Sequence, residues 1–406
     1  MCSLYQPFSR YGPQLLEGLS KVGLGRPSDA VMRATFFRHF CAGETLAGVG
    51  DVVGQYERSG VRCIFDYSVE DALSLEEWNS NTEGLIKKMR DYSATFGDRV
   101  RFVPLKVTGL CAPTLLERMS GVIYDQAAVD NAWMEGYRYQ PCLGFPTKKD
   151  AVVPPLSQGE RRELSEANER LSAICAEASK ANLSLLFDAE QTPRQPAINW
   201  FTRKLSRQFN RERAVVFNTF QMYLQGNLDN LESELAHARD GGYILGAKVV
   251  RGAYIHTETQ HARQHGLPLP IVDSKESTDV QYDVAIALLL RNIGSAALVV
   301  ATHNSASVEK AMSEMQRLAI DKSSTRVNFA QLMGMCEDLT LSLGQLGYNA
   351  HKLLPYGPLE NVMPYLIRRV QENSSVLGGT ARERQLIWRE LKRRALGSGS
   401  AAAAHA

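Results

Sequence analysis

Two adjacent arginines near the C-terminus are a candidate site for a negatively charged group. Arg368 and Arg369 stand four and three residues before Glu372, within the segment YLIRRVQEN at positions 365–373. On a helix, residues three and four apart are neighbours, so Glu372 can pair with either arginine. One interpretation is a solvated helix with a local ion pair. The other is a site in which guanidinium groups bind a carboxylate bidentately while Glu372 holds them in place.

Polar residues also follow most of the short apolar runs of the chain. They are Lys106, Asp188, Asn218 with Gln221 and Tyr223, Lys248 with Arg251 and Tyr254, Thr302 with His303 and Asn304, and Gln331. A single residue of this kind is more often an ordinary surface residue than a functional one. In a barrel, however, all the strands end at one mouth, where the active sites of barrel enzymes lie. The six polar strand ends together therefore predict a reaction site.

Eight apolar runs alternate with amphipathic stretches along the chain. The runs lie at residues 61–66, 101–106, 183–188, 214–218, 243–250, 298–302, 327–330 and 351–354. Most of them are almost wholly apolar, as expected of parallel strands that are covered on both faces. Helical spacing of apolar residues appears between them, for example at 231–238 and 280–290. The pattern predicts an α/β fold of the (β/α)8 TIM-barrel type. The alternative, an open doubly wound sheet, normally has a GxGxxG turn after its first strand, and none occurs here.

The same pattern suggests a domain organisation. Residues 1–55 are predicted to form a helical arm, with helices at 13–24 and 28–40. Residues 56–395 form the predicted barrel, and residues 396–406 a linker or tail. Between the second and third strands, residues 121–160 break the alternation with aromatic residues and prolines. We expect an excursion there, and the residues leave open whether it is a lid, an oligomer contact or a disordered loop.

Composition argues against several classes of protein. The chain has 406 residues, 44% of them hydrophobic, which is enough for a large core. A net charge of +2, spread along the chain, does not suggest nucleic-acid binding. No apolar run reaches the roughly 18 residues of a membrane span. The seven cysteines include no CxxC pair, so we expect reduced thiols and no metal site.

Five motifs resemble those of the proline dehydrogenase family, which includes eukaryotic enzymes and the catalytic barrel of a bacterial bifunctional protein. They are FDAE at 187–190, VRGAY at 250–254, ATHN at 301–304, QLMGM at 331–335 and the segment at 365–373. The resemblance extends over roughly residues 30–395. It implies a barrel whose last helix lies over the mouth, and an FAD bound across the strand ends.

The resemblance also implies roles for individual residues. Those expected to contact or position the substrate are Lys106, Asp188, Tyr254, Leu332, Leu353, Arg368, Arg369 and Glu372. Those expected to bind FAD are Gln221, Lys248, Val250, Arg251, Gly252, Thr302, His303 and Asn304. The arginine pair would bind the substrate carboxylate, with Glu372 as its partner.

The chain departs from the family's pattern at two of these positions. Lys248 stands where many members have arginine, so the positive charge is kept but the planar guanidinium group, which can bind bidentately, is not. Leu353 stands where proline-specific members usually carry tyrosine and hydroxyproline dehydrogenases a smaller residue. Leucine has room for a 4-hydroxyl group but offers it no hydrogen bond. The substrate is therefore expected to be L-proline, with trans-4-hydroxy-L-proline as the alternative.

The implied reaction is the oxidation of L-proline to Δ1-pyrroline-5-carboxylate by hydride transfer to FAD, with a quinone as electron acceptor. A membrane quinone implies a peripheral membrane contact. Eukaryotic members imply the matrix side of the mitochondrial inner membrane, although no transit peptide is visible in this chain. Two other readings are a barrel enzyme of different chemistry and a non-catalytic ligand-binding barrel.

Overall fold

The fold was analysed in a computed structural model, which describes residues 32–67, 72–124 and 153–375. Of residues 370–375 it describes the backbone alone. The eight strands are β1 Val61–Asp66, β2 Val100–Leu105, β3 Ser184–Phe187, β4 Val216–Gln221, β5 Leu245–Val250, β6 Ala296–Ala301, β7 Val327–Leu332 and β8 Ala350–Pro355.

Helices precede and separate the strands. The longer ones are α1 Gly50–Glu57, α2 Leu75–Phe96, α3 Pro113–Tyr124, α4 Gln158–Lys180, α5 Gln195–Phe209, α6 Asn227–Asp240, α7 Ile255–His265, α8 Lys275–Arg291, α9 Ser305–Arg317, α10 Glu337–Gln345 and α11 Leu359–Ser375. The shorter ones are a π-helical turn at Arg33–Phe37, an α-helical turn at Arg38–Phe40, and 3-10 turns at Ala47–Val49, Gly97–Arg99 and Val107–Gly109.

The strands form a closed parallel barrel in sequence order. Closure is made by β8 and β1, which pair in parallel along their whole length from Val61 and Ala350 to Asp66 and Pro355. The predicted (β/α)8 fold is thus confirmed. The largest error in a predicted strand boundary is three residues, at the end of β4, predicted at 218 and observed at 221.

The apolar runs become strands because both of their faces are buried. All six residues of β4 are buried, and five of the six in β6. One face of the strands packs inside the barrel and the other against the helices, so a continuous apolar run is needed. The interior cluster includes Ile64, Phe102, Phe217 and Val299. Capping boxes at Ser74 and Ser157 start α2 and α4, satisfying backbone N–H groups that the helices leave unpaired.

The described chain divides into two compact units. One contains residues 47–355, and with them the barrel; the other contains residues 32–46 and 356–375. Within the second unit the Gly357 N–H donates to the Gly43 carbonyl at 3.0 Å. The predicted boundary at residues 55 and 56 falls inside α1 and stays a prediction.

The predicted excursion at 121–160 is only partly described. Residues 121–124 continue α3, and α4 already begins at Gln158, so helix occupies both ends of that range. Residues 125–152 lie outside the described residues, as do the predicted helix at 13–24 and residues 396–406.

Five cysteines fall within the described ranges, all as free thiols. Cys41, Cys63, Cys111 and Cys175 are buried, and Cys336 is half-buried. Burial raises the pKa of the Cys63 and Cys111 thiols to about 12, so neither is a nucleophile at neutral pH.

Candidate active site at the barrel mouth

An ion pair joins two of the predicted site residues across the barrel mouth. Lys248 Nζ donates to Asp188 Oδ1 at 2.7 Å, with 13% and 31% of the two side chains exposed. Lys248 lies in β5 and Asp188 directly follows β3, so the pair spans the intervening β4. Inward-facing side chains of alternate strands share a layer in such barrels, which brings these two residues together.

A second cation, Lys106, lines a cleft beside this pair. Asp66, Asn81 and Asp188 line the same cleft. Lys106 is half-buried, and within the described ranges its ammonium has neither a hydrogen-bond nor an ion-pair partner. The cleft therefore combines the ammonium of Lys106 with two carboxylates, of which that of Asp188 is paired with Lys248.

Arg251 is held by the protein rather than left free. Its Nε donates to Asp279 at 2.5 Å, its Nη1 to Thr302 Oγ1 at 2.7 Å and its Nη2 to Ser307 Oγ at 2.9 Å. Burial of Asp279 works to raise its pKa, but hydrogen bonds from Lys275 and Arg251 outweigh it and hold that pKa below its usual range. Arg251 thus ties the end of β5 to α8, β6 and α9.

Gly252 allows the close approach of a tyrosine ring. Its φ is +133°, a conformation that residues with side chains rarely adopt. A Cβ on Gly252 would lie 1.9 Å from the ring of Tyr223. The backbone after β5 can therefore follow this path only at a glycine.

Tyr254 is positioned by the segment after β3. Its hydroxyl donates to the Ala189 carbonyl at 3.3 Å. Buried Glu258, one turn further on in α7, accepts from the N–H and the hydroxyl of Thr192 at 2.7 and 2.6 Å. These bonds hold the segments after β3 and β5 against each other.

The residues after β6 are fixed by local hydrogen bonds. Asn304 caps α9, and its side-chain oxygen accepts from the N–H groups of Ala306 and Ser307. The Leu332 N–H donates to His303 Nε2 at 3.0 Å, which assigns the imidazole proton to Nδ1. That bond joins the end of β6 to the end of β7.

Leu332 and Leu353 are register partners on β7 and β8. Leu353 is partly buried and packs against the cluster inside the barrel. The two residues are half-buried towards the carboxyl ends of their strands, and their role in lining a substrate pocket stays a prediction.

Gln221 and Val250 lie at the ends of β4 and β5. Gln221 is buried and donates from Nε2 to the Glu190 carbonyl at 2.9 Å. The carbonyl of Val250 accepts from the Met222 N–H at 2.8 Å. Both residues are thus at the predicted mouth, with these polar groups engaged by the protein.

The arginine pair belongs to the second compact unit. Arg368 is exposed, whereas Arg369 is 9% exposed and its guanidinium lies 5.1 Å from the centre of the Tyr365 ring. Both lie in α11, which begins four residues after β8 ends. The side chain of Glu372 lies outside the described residues, and with it the predicted ion pair.

Comparison with known proteins decides the family. The family model described as proline dehydrogenase matches residues 50–382. This chain belongs to the proline dehydrogenase family. It is 36% identical to hydroxyproline dehydrogenase of Xenopus laevis over 373 residues, covering 89% of this chain and 78% of the relative. It is 30% identical to mitochondrial proline dehydrogenase 1 of Homo sapiens over 499 residues, covering 94% and 83%.

Solved structures show the same fold. Proline utilization A from Bdellovibrio bacteriovorus superimposes with a TM-score of 0.69 at 21% identity, over 87% of this chain. The match covers 34% of that protein, so this chain spans about a third of its length.

Sequence reasoning missed two charged residues at the mouth of this proline dehydrogenase barrel. Lys352, in β8, is completely buried, and Glu190, after β3, is 6% exposed. Glu190 accepts from Thr108 at 2.8 Å and from Arg194 at 3.2 Å. A lysine inside the apolar run of β8 was the visible signal for Lys352, because such a lysine must find a buried partner.

The positive charge of this mouth fits an anionic cofactor. Lys248 and Arg251 place two cations at the carboxyl end of β5, which suits the phosphate groups of a flavin cofactor, although the nitrogen atoms of both side chains also donate within the protein. Within residues 32–67, 72–124 and 153–375, no group of His, Cys, Asp and Glu side chains could hold a metal ion. Over those ranges no helix is both long and apolar enough to cross a bilayer.

Proposed function

We propose that this chain oxidises L-proline to Δ1-pyrroline-5-carboxylate with FAD as cofactor. The observation that carries the proposal is the mouth of a barrel of the proline dehydrogenase family, where Lys106, which has no ion-pair partner among the described residues, lies beside the Lys248–Asp188 ion pair. When bound, FAD accepts two electrons as a hydride from C5 of the ring. The protein supplies orientation and charge.

Carboxylate binding is the proposed role of the arginine pair. Guanidinium groups bind carboxylates bidentately, and Arg368 is exposed with no ion pair within the described residues. Arg369 is buried over Tyr365, which limits its rotamers and lowers the entropic cost of binding. Glu372 is the proposed partner of the pair. Binding the carboxylate at a defined point sets which ring carbon faces the cofactor.

Lys106 is proposed to act on the ring nitrogen. Proline must lose the proton from its ring nitrogen before C5 can give up a hydride, because the nitrogen lone pair stabilises the developing positive charge. A cation nearby disfavours the protonated, positively charged amine. Asp188 would favour that form were it unpaired, but its ion pair with Lys248 offsets its charge. Tyr254, Leu332 and Leu353 are proposed to cover the ring and exclude water.

Cofactor binding is proposed for the residues after β4, β5 and β6. They are Gln221, Lys248, Val250, Arg251, Gly252, Thr302, His303 and Asn304. Two of them act under constraints. Arg251 is proposed to contribute positive charge rather than a bidentate hydrogen bond, since each guanidinium nitrogen already donates within the protein. The Asn304 side-chain oxygen is used by the cap of α9, which leaves its amide N–H groups for a ligand.

A membrane quinone is the proposed final electron acceptor, reached at the matrix side of the mitochondrial inner membrane. Support comes from the relatives, of which those from Homo sapiens and Arabidopsis thaliana are named as mitochondrial. A peripheral membrane contact is proposed with it.

The second candidate substrate is trans-4-hydroxy-L-proline. Leu353 leaves room for its 4-hydroxyl group, because a leucine lacks the bulk of the tyrosine that usually packs on the proline ring, but it offers that hydroxyl no hydrogen bond. The similarity to the hydroxyproline dehydrogenase of Xenopus laevis supports this alternative.

The test is the visible spectrum of the purified protein under anaerobic conditions. L-Proline, trans-4-hydroxy-L-proline and D-proline are added separately, the last as a control with the same atoms in the opposite configuration. Fast bleaching by L-proline alone supports the first proposal. Faster bleaching by hydroxyproline moves the substrate to the alternative. A yellow protein that none of the compounds bleaches contradicts both.

A further inference from the structure

Lys352 is a fully buried cation with three satisfied hydrogen bonds. Its side chain is 0% exposed, and its ammonium donates to the Met335 carbonyl at 2.8 Å, to Thr340 Oγ1 at 3.0 Å and to Glu337 Oε1 at 3.0 Å. An ammonium has three N–H donors, so each finds a partner. Burying a lysine is costly unless it is paired and hydrogen-bonded, and this one is both.

Glu337 completes a clamp on the segment 333–336, which connects β7 to α10. The Gly334 N–H donates to Glu337 Oε1 at 2.9 Å, while Lys352 binds the carbonyl of the next residue, Met335. The other carboxylate oxygen accepts from the Tyr56 hydroxyl of α1 at 3.0 Å. The Lys352–Glu337 pair thus holds two successive residues of this segment, one through its N–H and one through its carbonyl.

The segment needs such a clamp because its backbone is strained. Cys336 has a φ of +49°, in the left-handed region that residues with a Cβ disfavour. The conformation persists only where surrounding contacts impose it. The bond that Lys352 donates to the Met335 carbonyl and the bond that Glu337 accepts from the Gly334 N–H provide those contacts.

Leu332 is the residue directly before this segment. Its carbonyl accepts from the Met335 N–H at 3.2 Å, and its own N–H donates to His303. Any shift of Met335 therefore reaches the backbone of Leu332. Thr340 extends the connection, since it donates to Gln331 Oε1 at 3.0 Å.

We propose that Lys352 and Glu337 are positioning residues that hold Leu332 against the substrate ring. The inference rests on the proposed function, in which Leu332 lines the pocket. The pair does not touch the substrate and acts only through the segment 333–336. Its loss should weaken substrate binding while the cofactor stays bound.

The test compares Lys352→Met with Lys180→Met, which changes an exposed lysine at the end of α4. We expect Lys352→Met to raise the KM for L-proline about tenfold, as for a misplaced pocket residue, with flavin content per chain unchanged. Lys180→Met should leave KM and flavin content at the wild-type values. A variant that is only less stable would lose active protein without a change in KM.

Glu337→Gln, alone and combined with Lys352→Met, covers the case in which the single lysine variant fails to fold. The double variant leaves no uncompensated buried charge. Its melting temperature should therefore be higher than that of Glu337→Gln alone, while its KM for L-proline stays raised. A KM within about twofold of wild type in the folded variants would overturn the proposal. Failure of the wild-type protein itself to be bleached by either imino acid would instead reject the proposed function.

Discussion

Lys248 Nζ lies 2.7 Å from Asp188 Oδ1, so one residue predicted at the cofactor is bonded to one predicted at the substrate. Sixty positions separate the two residues, and β4 lies between their strands. Lys106, which lines the same cleft, has no ion-pair partner among the residues that the structure describes.

Replacing Asp188 with Asn should lower kcat/KM for L-proline by about a hundredfold, because it leaves Lys248 uncompensated and shifts it in the mouth. Steady-state kinetics give the measurement. Arg90→Met breaks an exposed ion pair with Glu177 and is the matched control. It should be close to neutral, as surface pairs are. Equal kinetics for Asp188→Asn and wild type would show that the Lys248–Asp188 ion pair is not part of the reaction site.

Replacing Arg368 with Met should raise the KM for L-proline at least tenfold, since the carboxylate loses a guanidinium partner. Bound flavin, read from the visible absorbance per chain, should not change. Arg263→Met, at an exposed arginine of α7, serves as the control for the loss of one positive charge. Unaltered kinetics of the Arg368 variant would contradict the proposal that Arg368 binds the substrate carboxylate.

Replacing Leu353 with Tyr should favour L-proline over trans-4-hydroxy-L-proline by about tenfold in the ratio of their kcat/KM values, because the larger ring fills the space next to C4. Leu353→Met conserves volume and should leave the ratio unchanged. Both rates are measured on each variant. A ratio that does not move with Tyr would place Leu353 away from the substrate.

Replacing Gly252 with Ala should lower the free energy of unfolding by about 2–4 kcal/mol, from overpacking against Tyr223 and from the positive φ. Flavin content should fall with it. Gly159→Ala, in the first turn of α4 where an added Cβ meets no atom within 4 Å, is the control and should be neutral or slightly stabilising. Thermal unfolding followed by circular dichroism separates the two. A fully stable Gly252→Ala protein would contradict the close approach of Tyr223.

Acid should destabilise the fold through His351. Burial, followed by the charges of Arg62 and Arg101, lowers the pKa of His351 from 6.5 to about 3. Its Nε2 lies 3.0 Å from Asn328 Oδ1, so the neutral ring donates there. Because the unfolded chain takes up this proton first, the contribution to stability is complete above pH 6.5 and is lost as the pH falls towards 3.

The check is the free energy of unfolding at several pH values between 7 and 4. His351→Gln keeps a donor for Asn328 but does not titrate, so its stability should depend less steeply on pH than that of the wild type. Parallel curves for the two proteins would show that His351 is not the group responsible.

The barrel was readable from local pattern because its strands are buried on both faces. Such strands are mostly apolar, as β6 is, and eight of them separated by amphipathic helices favour a closed barrel over an open doubly wound sheet, since the GxGxxG turn of the latter is missing. The polar ends were equally visible, because polar residues stand out where they follow apolar runs, although some of them, such as Gln221 and Gln331, are buried. Family motifs then supplied roles for these residues.

The choice of partners depended on three-dimensional structure. Nothing in the spacing of Lys248 and Asp188 links them; they meet because alternate strands of a closed barrel share an interior layer. Arg251 is likewise bonded to residues distant in sequence, Asp279 of α8 and Ser307 of α9, because the fold brings these helices next to the end of β5.

The sequence shows a lysine inside the apolar run of β8, but only the tertiary structure supplies the partners that allow its burial. The direction in which the Lys352 side chain points depends on the register of β8 with β7 and β1. Composition and periodicity describe one chain segment at a time, and so they determined the strands, the helices and the residues at the mouth. Hydrogen bonds and ion pairs need two segments at a defined distance, and only closure of the barrel sets that distance.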